Sequence, residues 1–337
     1  MATAEGTLPG REVRFASGAQ VLAGSLLLPP EGTAPWATAV FLHDSGPQDR
    51  NGDSPQAPLH LFAALAEDLA SSGCASVRYD KRGCGQSSGD AAAASVEDLA
   101  EDGAAAVRFA RRLHETARRP VFLVGHSEGT VLALMLAARD PKLAGLVLLA
   151  PQLTPMREVL RLQAAALQRA IEAMPPQERL RVGVPHGYDQ RQVTEQFIAA
   201  VEAAPAEAAV AQVMGQTVPV RWFRSHFALD IRALVPHVRC PLLAVGGAKD
   251  AQVPPQDAVA LAELARSQAP GNPDATAVVV PDLTHILRRS HGRGDLSEYP
   301  ALAQSPVDEG VRQLVVEWVG GHRPQPEADA RQGVEQA

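Results

Sequence analysis

Three side chains in this 337-residue sequence have the types and chain order that nucleophilic catalysis requires: Ser127, Asp250 and His285. A serine hydroxyl is a poor nucleophile at neutral pH until a histidine takes its proton and an acid orients that histidine. Ser127 is the centre of Gly125-His126-Ser127-Glu128-Gly129. Such a pentapeptide arises by chance, and residues 85–89 (GQSSG) repeat the pattern around Ser87. Context separates the copies. Ser127 directly follows an apolar, strand-like run (residues 121–124, VFLV) and directly precedes an almost wholly apolar helical stretch (residues 131–136). That order places the hydroxyl on a sharp strand-to-helix turn. The copy at Ser87 lies well past the strand-like run ending at Tyr79 and opens onto Asp90 and alanines, which reads as a loop.

Ligands of open α/β sheets gather at the carboxyl ends of the strands. Asp250 ends the segment LLAVGGAKD and His285 ends AVVVPDLTH, so both fall where such a site is built. Asp250 has a competing reading as a turn cap before Val253-Pro254-Pro255, His291 is the rival histidine, and Asp282 and Asp230 are fallback acids. His126 is expected to shape the turn. A histidine base predicts activity that rises with pH through one ionisation near neutrality. The oxyanion is expected to be met by the backbone N–H of Glu128 and by a second N–H from the loop after His43, that of Ser45 or alternatively Asp44. The Glu128 carboxylate reads as a first-turn residue favoured by the helix dipole.

The elements that must hold these residues alternate. Residues 11–29 read as a hairpin, followed by a strand at 37–42, a helix at 59–69, a strand at 75–79 and a helix opened by a capping box of Ser95 and Asp98. After the nucleophile unit comes a strand at 143–149. The pattern resumes with a strand at 241–245, a helix at 256–264, a strand at 275–280 and a helix at 307–319. This order predicts an α/β fold with a mostly parallel sheet wrapped by helices. Residues 152–239 carry no strand pattern. Helices are expected from 154–155 to about 174, from 189 to 201 and from 205 to 214. The domain reading is a core of residues 1–151 and 240–323, a helical cap at 152–239, and a tail at 324–337 too poor in apolar residues to fold.

With 46% hydrophobic residues the chain can bury a large core. Its formal charge of −7, from 38 acidic and 31 basic residues without long single-sign blocks, argues against nucleic acid as a partner. Three scattered cysteines give neither a disulfide framework nor metal-ligand spacing, so no metal site and a cytoplasmic location are expected. No apolar run has the length of a membrane span, and residues 1–15 lack the pattern of a secretory signal. Oligomeric state cannot be read from the sequence.

In residues 43–50 (HDSGPQDR), 79–87 (YDKRGCGQS) and 125–129 (GHSEG), the chain resembles bacterial serine esterases of the α/β-hydrolase superfamily. Residues 247–253 (GAKDAQV) and 283–285 (LTH) match the acid and histidine segments of that family, and the likeness spans roughly residues 10–320. It implies an α/β-hydrolase fold, on which the strandless stretch 152–239 reads as the helical cap. It also implies hydrolysis of small carboxylic esters, usually with short acyl chains, without a cofactor. The rival readings are a peptidase, amidase, thioesterase or acyltransferase on the same triad, and an inactive ligand-binding homologue. Asp44 stands where the family has glycine, so a carboxylate is expected near the oxyanion, opposing charge development unless Arg50 or Lys81 pairs it. Trp222, Phe223 and Phe227 concentrate aromatic side chains in a chain otherwise poor in them, as a lid over an acyl pocket requires. Arg288, Arg289, His291 and Arg293 read as a solvated loop.

Overall fold

The structure is a computed structural model that describes residues 10–324 apart from 56, 268–271 and 273. The chain opens with the hairpin β1 (Arg11–Ser17) and β2 (Gln20–Leu27), then β3 (Ala37–Leu42), α1 (Leu61–Ser71), β4 (Cys74–Tyr79) and α2 (Val96–Arg112). The Gly-x-Ser-x-Gly turn joins β5 (Val121–His126) to α3 (Glu128–Ala137), followed by β6 (Gly145–Leu149). The chain then leaves the sheet through α4 (Met156–Ala173), α5 (Pro176–Arg181), α6 (Gln190–Ala203), β7 (Ala211–Val213), β8 (Gln216–Val218), α7 (Val220–Ala228) and α8 (Ile231–Leu234). It returns with β9 (Leu242–Gly247), α9 (Gln256–Ser267), β10 (Ala275–Val280), α10 (Tyr299–Leu302) and α11 (Glu309–Gly321).

Eight strands form one sheet in the order β1-β2-β4-β3-β5-β6-β9-β10. The β1–β2 and β2–β4 pairs are antiparallel, and every pair from β4 through β10 is parallel. All six residues of β3, β4, β5 and β9 are buried, as strands covered by helices on both faces must be. One apolar layer lies between the sheet and α2, α3 and α9, and another between the sheet and α1 and α11. All ten residues of α3 are buried, which is why its sequence shows almost no polar face. The capping box of α2 is present as expected, with Ser95 accepting from Asp98 N–H and Asp98 accepting from Ser95 N–H.

Between β6 and β9 one expectation fails. Residues 205–214, rich in alanine, do not form a helix. They lead into the antiparallel pair β7–β8, turned by Met214 and Gly215, whose φ values of 51° and 78° are both left-handed. Two central residues at positive φ are the signature of a two-residue hairpin turn, and Gly215 takes that conformation without steric cost. The hairpin buries Val213 and Val218 against Met156, Ile198, Val201, Val220 and Phe227, so packing overrides local helix propensity. The tail expected to be unfolded lies, beyond Pro324, outside the described residues.

Candidate active site

Ser127 stands between β5 and α3 with φ 52° and ψ −115°, a conformation costly for a residue with a Cβ. Its N–H is held by the Leu149 carbonyl at 2.9 Å. The flanking glycines are required by contact. A Cβ on Gly125 would sit 2.3 Å from the Gly129 carbonyl oxygen, and one on Gly129 would sit 2.0 Å from the Leu42 carbonyl oxygen. The turn therefore closes against the end of β3, and the loop after β3 lies beside the serine. Glu128 is the first residue of α3, so its N–H has no acceptor within the helix.

Asp250 lies past the end of β9 and His285 past the end of β10, and the structure brings them together. His285 Nδ1 is 2.8 Å from Asp250 Oδ2, with each side chain 1% exposed. The other oxygen of Asp250 accepts from the N–H groups of Gln252 and Val253 at 2.8 and 3.0 Å, so the turn-cap role and the histidine contact coexist. Nε2 of His285 is buried without a hydrogen-bond partner among the described residues. His126 donates from Nε2 to the His285 carbonyl at 2.8 Å, and the two rings lie 5.1 Å apart. It thereby ties the serine turn to the histidine loop.

The alternatives sit elsewhere. His291 is exposed. Asp282 pairs with Lys249 at 2.7 Å, and Asp230 caps α8 through the Ala233 N–H. Ser87 is a structural turn residue whose hydroxyl accepts from Ala23 N–H at 2.9 Å and donates to the Asp80 carbonyl at 2.6 Å. Arg288, expected in a solvated loop, is instead buried and donates to the carbonyls of Leu59 and Ile286.

Asp44 departs from its expected surroundings. Neither Arg50 nor Lys81 pairs its carboxylate: Arg50 is engaged by Asp80 and Glu12, and Lys81 donates to the Asp44 backbone carbonyl at 2.8 Å. The carboxylate faces histidines instead, with Oδ2 3.6 Å from His285 Nε2 and 3.9 Å from His126 Nδ1. Burial works against its charge, but His285 first, and then His126 and the Ser127 hydroxyl, hold its pKa below the usual carboxylate range. Burial likewise opposes a charge on His285, yet Asp250 and then Asp44 outweigh it and push its pKa up to about 10. Both loop N–H groups considered as oxyanion donors are satisfied internally. Asp44 N–H donates to Gln48 Oε1 at 3.0 Å and Ser45 N–H donates to Asp44 Oδ1 at 2.6 Å.

Glu128 is the first-turn residue expected, and its side chain is in addition a buried hub. Lys81 Nζ donates to Oε2 at 2.7 Å, while Trp222 Nε1 donates to Oε1 at 2.6 Å and His226 Nε2 lies 2.7 Å from the same oxygen. Burial opposes its ionisation, but Lys81 and His226 prevail and hold its pKa at about 2. Sequence reasoning did not find Lys81 or His226 in these roles. The spacing of Trp222, Ser225 and His226 on one helical face was the available signal. Ser225 accepts from Val96 N–H at 2.9 Å, so that face of α7 docks on both α2 and α3.

A cavity of about 500 Å³ opens between the loop after β3 and α7, lined by Ser45, Pro47, Lys81, Leu99, Trp222 and Phe223 among others. Phe227, grouped with these aromatics in the sequence, packs instead in the core of the 156–227 region, with the Arg157 guanidinium 4.5 Å above its ring. Among the described residues no group of His, Cys, Asp or Glu is placed to hold a metal ion, and no helix is long and apolar enough to cross a membrane.

Comparison with known proteins agrees with this architecture. Residues 59–288 match the family described as "Serine aminopeptidase, S33". Esterase EstD of Thermotoga maritima is 26% identical over 290 residues, covering 86% of this chain, and the chain spans 63% of that relative's length. Among solved structures, the ferulic acid complex of Est1E from Butyrivibrio proteoclasticus superposes with a TM-score of 0.57 at 18% identity, covering 91% of this chain and 99% of that one. The Pyrococcus furiosus esterase Pf2001 gives 0.57 at 15% identity, covering 94% and 91%. At these identities the structures establish a shared α/β-hydrolase fold.

Proposed function

Because the chain belongs to the α/β-hydrolase family described as serine aminopeptidase, we propose that it is a serine hydrolase that cleaves small carboxylic esters through an acyl-enzyme on Ser127. The observation that carries this reading is the buried His285–Asp250 pair, with Nε2 free of a hydrogen-bond partner among the described residues, on the strand ends that also present Ser127 on its positive-φ turn.

In this reading Ser127 Oγ bonds to the ester carbonyl carbon and its proton passes to His285 Nε2. The carbonyl π pair becomes the oxyanion, met by the N–H groups of Glu128 and Ser45. Collapse breaks the bond to the alkoxy oxygen, which leaves as an alcohol carrying the proton from His285. Water then gives a proton to His285 and its oxygen bonds to the acyl carbon. Release of the carboxylic acid returns the proton to Ser127. Asp250 stays ionised throughout, holding the tautomer and stabilising the imidazolium. Because Ser45 N–H already donates to the Asp44 carboxylate, the incoming carbonyl oxygen must displace that carboxylate.

Residues 152–239 act as the cap in this reading, and the cavity beneath α7 takes one arm of the ester against Trp222 and Phe223. Its mostly apolar wall suits a short uncharged chain, since Lys81 and the neighbouring Arg82 are already paired with Glu128 and Asp102. The free thiols Cys74, Cys84 and Cys240 suit a cytoplasmic enzyme. The test is labelling by a fluorophosphonate probe, together with turnover of matched ester, thioester and aminoacyl-amide substrates. Labelling of the wild type but not Ser127→Ala, with esters turned over fastest, supports the reading. Failure to label sinks it, and a preference for amides moves the protein to peptide chemistry.

A further inference from the structure

The reaction scheme above assigns no step to Lys81, yet its ammonium is buried beside the nucleophile and makes two charge-assisted bonds. One goes to Glu128 Oε2 at 2.7 Å, the other to the Asp44 carbonyl oxygen at 2.8 Å. The second bond acts on a whole peptide unit. The Asp44 carbonyl and the Ser45 N–H belong to one planar trans peptide and point in opposite directions. Anchoring the carbonyl on Lys81 therefore aims the Ser45 N–H away from it.

The direction of that aim is visible in its acceptor. Ser45 N–H donates to Asp44 Oδ1, and the other oxygen of the same carboxylate is 3.6 Å from His285 Nε2. A negatively charged oxygen thus already accepts from this N–H on the side of the histidine, as an oxyanion on the substrate would. The counter-ion of Lys81 closes the arrangement, because Glu128 is the residue whose backbone N–H opens α3. One ammonium consequently spans the two segments that supply the two donors.

We propose that Lys81 is the positioning residue of the oxyanion hole: it fixes the Asp44–Ser45 peptide so that the Ser45 N–H points at the developing oxyanion, and it registers that donor against Glu128. The inference rests on the reading of Ser127 as nucleophile. Trp222 and His226 bond to the other oxygen of Glu128, so α7 packs onto the same support.

The test compares Lys81→Met, Lys81→Arg and the double variant Lys81→Met/Glu128→Gln. The double variant matters because Lys81→Met alone leaves Glu128 short of its cation, which destabilises a buried carboxylate whatever its catalytic relevance. Each variant is assayed for kcat and KM on a short-chain p-nitrophenyl ester, for inhibition by the matching trifluoromethyl ketone, and for its melting temperature. The ketone reports on the oxyanion directly: Ser127 Oγ bonds to its carbonyl carbon, the serine proton goes to His285, and the π pair becomes an alkoxide in the same site.

With Lys81 as positioning residue, both the single and the double Met variants lose about 100-fold in kcat. KM stays within a few-fold, ketone affinity falls in parallel with kcat/KM, and Lys81→Arg recovers part of the loss. Return of the double variant to wild-type kcat overturns the proposal, as does a drop in kcat with unchanged ketone affinity, because the loss then reflects the unpaired carboxylate or general destabilisation. A wild type that neither turns over esters nor labels at Ser127 overturns the functional reading itself, and the role of Lys81 with it.

Discussion

The carboxylate of Asp44 stands 3.6 Å from Nε2 of His285, on the edge of the ring opposite the one that Asp250 holds at 2.8 Å. The histidine is therefore flanked by two carboxylates. One is buried and fixed by the backbone N–H groups of Gln252 and Val253. The other sits on the loop after β3, which the proposed reaction assigns to the ester carbonyl oxygen. The groups facing His285 are Asp250 after β9, Asp44 after β3, His126 at the end of β5, and the half-buried Tyr299 of α10, whose phenol is pushed up by burial and stays neutral.

This arrangement sets the pH dependence. With its pKa raised by Asp250 and then Asp44 against the opposing effect of burial, His285 is expected to hold its proton to higher pH than an ordinary histidine and to become a base only as pH rises. The acidic limb of kcat/KM is expected well above the ordinary histidine range, not near neutrality as residue type alone suggests. Asp44→Asn removes one negative charge, so the imidazolium loses stabilisation, its pKa falls, and the limb moves to lower pH. At this separation and an effective dielectric near 20 the lost interaction is about 4.6 kcal/mol before solvent replaces part of it. Profiles of kcat/KM for both proteins check this, with Asp44→Asn the faster at pH 7 by about tenfold or more. Superimposable profiles would remove Asp44 from the titration.

The two serines of similar sequence context separate by mutation. Ser127→Ala is expected to lower kcat by about 10⁶-fold. Ser87→Ala leaves the Ala23 N–H without its acceptor, a cost of about 1–3 kcal/mol in stability, and leaves the chemical step intact. Single-turnover kinetics beside urea unfolding of each variant distinguishes these effects.

Asp250→Asn keeps the size of the side chain and an oxygen for the Gln252 and Val253 N–H groups, while presenting His285 Nδ1 with a neutral partner. A fall in kcat of about 10⁴-fold is expected, with little change in KM. Retained activity would point to Asp44 as a substitute acid, which the double variant with Asp44→Asn resolves.

Gly129 tests the packing behind the serine turn, and Gly320 serves as its unpacked control. A methyl group on Gly129 meets the Leu42 carbonyl at 2.0 Å, so Gly129→Ala is expected to cost about 2–3 kcal/mol and to abolish turnover by shifting Ser127. Gly320, near the end of α11, has nothing within 4 Å of such a methyl group, and Gly320→Ala is expected to stabilise by about 0.5–1 kcal/mol. Chemical denaturation of both variants measures the contrast.

The sequence by itself determined the features whose causes are local. The strand, the Gly-x-Ser-x-Gly turn and the apolar helix are contiguous, so Ser127 could be told from Ser87 by its neighbours. Ser95 and Asp98 are three residues apart, and their capping box formed where it was read. Chain order and strand-end placement singled out Asp250 and His285, which then met in space.

Only the tertiary structure decided the contacts between segments far apart in the chain. The helix expected at 205–214 gave way to a hairpin because Val213 and Val218 find an apolar cluster there that local propensity cannot see. Asp44 was expected near the oxyanion, opposing it unless Arg50 or Lys81 paired its carboxylate. It faces His285 because the loops after β3 and β10 converge over β5, while Asp80 and Glu128 had already taken the two cations. The hub of Lys81, Glu128, Trp222 and His226 joins residues 47 to 98 positions apart. No local period encodes such a hub; it forms because burying one carboxylate requires every nearby donor to turn toward it.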